Sequence, residues 1–403
     1  MNVEFNLMCL VARVDFSPEA AQYAIHLVQS GSVNWSAFLA RVERHYIAPL
    51  VHKNLKSISG AGVPAKVLDT LRVRSKLTAF RSEQFAAELV RLAKLFDFHG
   101  IRTIHYKGVV TAQEFYGSVA LRNFNDLDFL IHPHDLRAVV KLLEKQGYAN
   151  SQCMTEAQFT HYVRGFKEFL FQRGEICLEP HWSLAGRRYP FDPDYEGFWK
   201  RSRSLRVRDA EVKVMSVEDS LLVLCLVGAK GRWKRLQMIT DVAACINRLR
   251  ENDWPRVFRR AAETRTVRIL HLGLTLASQL SGAILPADVE QRLCAERLAR
   301  RVTRQLADGI PRSRWFPDTP SIFSSLLFQQ RESLRDRLTY LWHTTTTADL
   351  FHLQRMPLPQ AAHPLYRVLV PLHDLVFYPG WRLLRASLLG MGARAKSILT
   401  PTT

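Results

Sequence analysis

A chain of 403 residues, 47% hydrophobic and 23% charged, is long enough for two or three packed units and is excluded from the disordered class. Lys and Arg (56) outnumber Asp and Glu (37) by 19, which favours polyanionic partners such as nucleotides, nucleic acid or an anionic membrane surface. The six cysteines form no C-x-x-C pair, which excludes the common zinc and dithiol motifs and fits a reduced, cytoplasmic setting.

The basic residues fall in many small groups rather than one stripe, so nucleic-acid binding is expected to be weak if it occurs at all. The first residues carry acids and lack a basic head before a long apolar run, so no secretory leader is expected. The most apolar late stretch, 365–389, is broken by charges, prolines and a glycine, well short of the roughly 18 to 20 apolar residues of a membrane span.

Residues 1–99 read as a helical N-terminal unit. Ser17-Pro18-Glu19 supplies a capping residue, a first-turn proline and an early acid, and a second helix is expected from Trp35 to Tyr46. After the breaker at 60–64, apolar residues at Val67, Leu71, Leu77, Phe80, Phe85, Leu89, Leu92 and Phe96 predict a helix or helix pair packed along one face. Residues 100–215 form the expected α/β core. Strands are predicted at 101–106, 124–131, 168–172 and 175–182, the last two joined as a hairpin through Arg173-Gly174, with a helix from about 133 to 146. Helical periodicity returns at Ser216-Val217-Glu218-Asp219 and defines a helical C-terminal unit over 216–310. Residues 311–403 read as a linker, one further helix and an unassigned tail. The fold class is therefore α+β: a small mixed sheet flanked by helical units.

Asp126-Leu127-Asp128 lies inside an apolar predicted strand, where residues two apart share a face, so the paired carboxylates need a counter-cation such as magnesium. A bare D-x-D is more often a solvated edge, and its context raises the metal reading. Lys107-Gly108 stands where a strand turns into a helix, a junction that presents backbone N–H groups to phosphates. Arg122 precedes the acids by four residues, and Glu179 supplies a third carboxylate on a later strand, with an edge-strand acid the equal alternative. His181, Trp182, Trp233 and Asp241 are commonly core or ion-pair residues.

The run Tyr106-Lys107-Gly108, Phe115-Tyr116, Arg122, Asn125 to Ile131 and Gly147-Tyr148 resembles a bacterial nucleotidyltransferase-like family of the polymerase-beta superfold, largely uncharacterised. Residues 178–184, 232–241 and Asp253-Trp254 continue the likeness, which covers about residues 70–290. It departs at Glu179, where the family usually has aspartate, at the neighbouring Pro180, and at Gly228 and Gly231, where histidines are usual. The resemblance implies transfer of a nucleoside monophosphate from a nucleoside triphosphate to an acceptor, with release of pyrophosphate. Asp126, Asp128 and Glu179 would bind Mg2+ (or Mn2+), and Glu179 would also help to deprotonate the acceptor. Lys107, Gly108 and Arg122 would hold the triphosphate, with His181 and Asp241 in support. The acceptor is left open among a sugar, another small molecule, a peptide, a protein and RNA. The alternative is a basic nucleic-acid-binding or regulatory scaffold that keeps the fold without turnover.

Overall fold

The computed structural model describes residues 3–152, 154–186, 194–308 and 325–374. Two compact units emerge: one spans Met1–Ser151, Lys167–Leu184 and Phe191–Leu334, the other Gln152–Phe166, Ala185–Pro190 and Arg335–Thr403. Among the described residues, no helix is long and apolar enough to cross a membrane.

The first unit begins with helices α1 (Val3–Val11), α2 (Pro18–Gln29), α3 (Trp35–Arg44), α4 (Ala48–Ser57) and α5 (Ala65–Phe98). Ser17 caps α2 by accepting from the Ala20 N–H, and Pro18 sits where its missing N–H is harmless. The expected helix or pair at 65–98 is one helix of 34 residues. Val67 and Leu71 are buried where α5 packs on α4, and Phe85, Leu89, Leu92 and Phe96 are buried nearer its C-terminal end. Phe96 meets Phe129 at 5.2 Å between ring centroids, and Phe85 meets Phe124 at 5.7 Å. Leu77 and Phe80, expected on the packed face, are 66% and 69% exposed because they lie between these two contact regions.

Among the described residues, seven strands form one mixed sheet in the order β3-β4-β5-β2-β1-β7-β6. They are β1 (Thr103–Tyr106), β2 (Leu127–Ile131), β3 (Ala149–Asn150), β4 (Phe171–Arg173), β5 (Ile176–His181), β6 (Arg203–Val207) and β7 (Ala210–Val214). Helices α6 (Gly108–Phe115) and α7 (Leu136–Lys145) follow β1 and β2. β1 and β2 are antiparallel with Tyr106 opposite Asp128, whereas β2 and β5 are parallel with Asp128 opposite Glu179. The hairpin expected through Arg173-Gly174 forms, with Gly174 at φ +56° where a left-handed turn is needed. The β6–β7 hairpin was not predicted from sequence, although its buried Val207, Val212 and Val214 follow strand alternation.

In the second unit, α8 (Glu156–Gly165) starts at a capping box made by Thr155 and Gln158. The first unit closes with α9 (Tyr195–Arg201), α10 (Val217–Lys230), α11 (Leu236–Ile246), α12 (Trp254–Glu263), α13 (Val267–Ser281), α14 (Ala287–Arg292), α15 (Glu296–Asp308) and α16 (Ser325–Gln329). Ser216 caps α10 by accepting from the Asp219 N–H, as its sequence foretold. Helices α10, α11 and α13 pack on one another around the buried Trp233, and α1 packs on α13. A Cβ at Gly228 would overlap the Trp233 ring, so glycine is required there. The second unit continues with α17 (Leu334–Thr346), α18 (Leu350–Arg355) and α19 (Tyr366–Leu372). Gln158 donates to the Leu353 carbonyl at 2.7 Å, joining α8 to α18. The linker expected at 311–320 lies outside the described residues.

Candidate active site

The site grows from the end of β1. Lys107 leaves the strand at φ +56° and ψ −155°, a conformation that side-chain-bearing residues rarely adopt, and Gly108 follows at φ +37° to open α6. A Cβ at Gly108 would come within 3.1 Å of the Asp126 carbonyl oxygen, so glycine lets this turn lie against the backbone leading into β2. The strained turn delivers the Lys107 ammonium to Asp128, Nζ to Oδ1 at 2.5 Å.

Asp128 is buried in β2, and its Oδ1 also lies 2.9 Å from His181 Nε2. Burial would raise its carboxyl pKa, but Lys107 and His181 hold it well below the usual carboxylate range. Burial likewise works against the Lys107 charge, and Asp128 and Glu179 more than restore it. Glu179, opposite Asp128 across the parallel β2–β5 pair, places Oε2 3.5 Å from His181 Nε2. One ligand atom each from Asp128, Glu179 and His181 all lie within 4.8 Å of one another. The far side of the imidazole, Nδ1, is 3.1 Å from Glu168 Oε2, and Glu168 also pairs with Lys167. Burial depresses the His181 pKa.

Asp126 sits just ahead of β2 and not within it, because the strand begins at Leu127. The alternation expected over 124–131 therefore does not extend back to Asp126, and its carboxylate is outside the compact Asp128–Glu179–His181 group. It remains an electrostatic member of the site. Burial, then Asp128 and Glu179, push its carboxyl up to about 7 against the opposing Lys107 and Arg122.

Arg122 is engaged elsewhere. Its Nε and Nη2 donate to Asp241 Oδ1 and Oδ2 at 2.7 and 2.8 Å, and Tyr116 donates to the same Oδ1 at 2.6 Å. This bidentate pair ties the segment before β2 to α11. Gln237 of α11 adds a bond from Nε2 to the Asn123 carbonyl at 2.7 Å. Asp241 thus fixes Arg122 beside Asp126.

Residues 31–282 match the model of a family described as uncharacterised nucleotidyltransferase. The chain belongs to this family. Among solved structures, an antigenic nucleotidyltransferase-like protein from Paracoccidioides brasiliensis is similar at 15% identity and a TM-score of 0.30, over 52% of this chain and 98% of that one. No curated protein matches.

In this nucleotidyltransferase-family chain, sequence reasoning missed Lys167 and Lys230. Burial depresses them to about 6 and about 7, helped by neighbouring lysines, and Lys230 donates to the Leu184 carbonyl at 3.1 Å. Glu168 and Tyr116 were also missed as site residues. Lys230 was legible only as a lysine in the last turn of an apolar helix, a common place for a solvated cation.

Proposed function

We propose that this protein transfers a nucleoside monophosphate from a nucleoside triphosphate to an acceptor hydroxyl or phosphate and releases pyrophosphate. The observation that carries the reading is the register of Asp128 opposite Glu179 on adjacent parallel strands, with Lys107 held over Asp128 by a strained turn. Asp128 and Glu179, with Asp126 beside them, offer the carboxylate oxygens that suit magnesium or manganese, and His181 lies against them. The raised Asp126 carboxyl supports the fit, since burial and two acidic neighbours leave it short of positive charge. A bound divalent ion would screen phosphate charge and favour the deprotonated acceptor.

The chain's own groups account for the remaining roles. An acceptor oxygen forms a bond to the α-phosphorus as the bond from that phosphorus to the α,β-bridging oxygen breaks, and the electron pair leaves with pyrophosphate. Glu179 takes the acceptor proton. Lys107 and the Gly108 backbone hold the triphosphate at the start of α6. Arg122, anchored by Asp241, supplies positive charge on the Asp126 side. His181, set between Asp128 and Glu168, orients the carboxylates.

The test is incubation with each α-labelled triphosphate, Mg2+ and a cell lysate, followed by location of the label. Transfer by the wild type and none by Asp128→Asn supports the reading. No transfer by either, together with equal triphosphate binding by both in calorimetry, overturns it.

A further inference from the structure

A cleft of about 610 Å³ has a lining that includes Arg44, Tyr46, Arg81, Asn125, Lys234 and Arg235. These residues come from the end of α3 and the turn after it, the middle of α5, the segment leading into β2 and the turn into α11. We propose that this cleft binds the phosphate group of a small phosphorylated acceptor, an assignment of substrate class that rests on the transferase reading above.

Charge makes the case first. The one carboxylate in the lining, Glu43, is taken by Arg74 at 2.8 Å, outside the cleft. Among the described residues, no carboxylate pairs with Arg44, Arg81, Lys234 or Arg235. Four cations therefore surround one space without a counter-ion, an arrangement that costs electrostatic energy until an anion enters. The crowding is visible in its neighbours: burial, then Arg235 and Arg232, lower Lys234, and burial with Arg44, Arg41 and Arg235 brings His45 down to about 4.

The cations are also positioned. Arg81 Nη1 donates to Asn125 Oδ1 at 2.9 Å, and the Arg235 guanidinium lies 3.8 Å from the centre of the Tyr46 ring. Tyr46, Arg232 and Trp233 all have positive φ, at +61°, +58° and +51°, so the turns that carry Tyr46 and Lys234-Arg235 hold a conformation that L residues avoid. Guanidinium forks match phosphate oxygens in geometry as well as charge. The volume lies in the range of small-molecule sites. Asn125 lines the cleft and Asp126 follows it directly in the chain, so the cleft is formed in part by the segment that carries one of the candidate carboxylates. Lys107 is absent from this lining, which separates the cleft from the triphosphate cradle.

The test is calorimetric titration of the full chain with ribose 5-phosphate and with ribose, alone and with Mg2+ and a non-hydrolysable triphosphate. Ribose 5-phosphate is expected to bind in both settings and ribose in neither. Arg44→Gln and Arg235→Gln are each expected to weaken the phosphate probe by roughly tenfold or more, while triphosphate binding and thermal unfolding stay near wild type. Lys234→Glu, a charge reversal at an exposed turn, checks the result if either arginine variant unfolds. Asp128→Asn is expected to impair triphosphate binding and leave the phosphate probe unchanged, so failure of the transferase reading is seen separately. The proposal is overturned if the wild type ignores the probe, or if the variants bind it as the wild type does. It is equally overturned if the arginine variants lose triphosphate and probe together, which would make the cleft part of the triphosphate site. Tight, salt-sensitive binding of single-stranded RNA in preference to the small probe would also overturn it.

Discussion

Replacing Asp241 by asparagine removes the counter-charge of a guanidinium that has almost no access to water. The Arg122 and Asp241 side chains are 11% and 6% exposed. Their carboxylate–guanidinium contact is bidentate at 2.7 and 2.8 Å, and Tyr116 adds a third bond at 2.6 Å. Burial opposes the Arg122 charge, and Asp241 raises its pKa above the ordinary arginine value in spite of that. Breaking a buried pair by removing one partner typically costs about 3–5 kcal/mol, because the remaining charge is stranded. Asp241→Asn is therefore expected to lower the urea-unfolding free energy by that amount at unchanged slope. Tyr116→Phe, which removes one bond to a charged acceptor and leaves the pair intact, should cost about 1.5–3 kcal/mol. Replacing both ends by apolar residues, Arg122→Met with Asp241→Leu, should recover much of the single-variant loss. A change below about 1 kcal/mol for Asp241→Asn would refute the claim that this pair ties the segment before β2 to α11.

Three further outcomes follow from the geometry. Glu179→Gln keeps shape and hydrogen bonding but cannot take a proton, so transfer should fall roughly a hundredfold to ten-thousandfold while triphosphate binding measured by calorimetry persists; near-normal transfer would place the base elsewhere. Asp126 binds its proton more tightly in the fold, with its pKa at about 7, than in the unfolded chain, so in metal-free protein its contribution to stability falls as pH rises from the ordinary carboxyl range toward 7. Lys230, at about 7, is the converse: its contribution grows as pH rises from there toward the ordinary lysine range. Denaturation midpoints across pH should show that Asp126→Asn removes a fall in stability between the ordinary carboxyl range and about pH 7, and that Lys230→Met removes a rise above about pH 7, so that each limb becomes steeper than in the wild type; unchanged profiles would contradict both placements. Gly228→Ala drives a methyl into the Trp233 ring and should cost about 1–3 kcal/mol in the same unfolding assay.

The sheet's central strands were legible because their apolar runs are short and bounded by turn residues. β1, β2 and the β4–β5 hairpin fall where alternation and Arg173-Gly174 place them. Periodicity located α5 but could not say where its neighbours end, so Leu77 and Phe80 were assigned to a packed face that has no partner at those turns. Contacts between α1 and α13 join helices more than 250 residues apart, and no local signal announces such packing.

Among the candidate site residues, the acids are easier to read from sequence than the groups packed around them. Asp128 and Glu179 lie on apolar strands, where a carboxylate is conspicuous, and the register sets them opposite each other. Asp126 is equally conspicuous, yet period-two counting assumes that the strand has already begun, and the backbone there is instead accommodated by Gly108. The neighbouring lysines come from distant parts of the chain: Lys107, which pairs with Asp128, from the end of β1, Lys167 from just before β4, and Lys230 from the end of α10. Burial and like-charged neighbours set their protonation, raising Asp126 to about 7 and lowering Lys167 and Lys230 to about 6 and about 7, while the acids and lysines partly offset one another's shifts. On the proposed transferase reading, entry of a triphosphate with its divalent ion would be met by groups whose protonation lies near neutrality, so protons could move among them as the ligands bind.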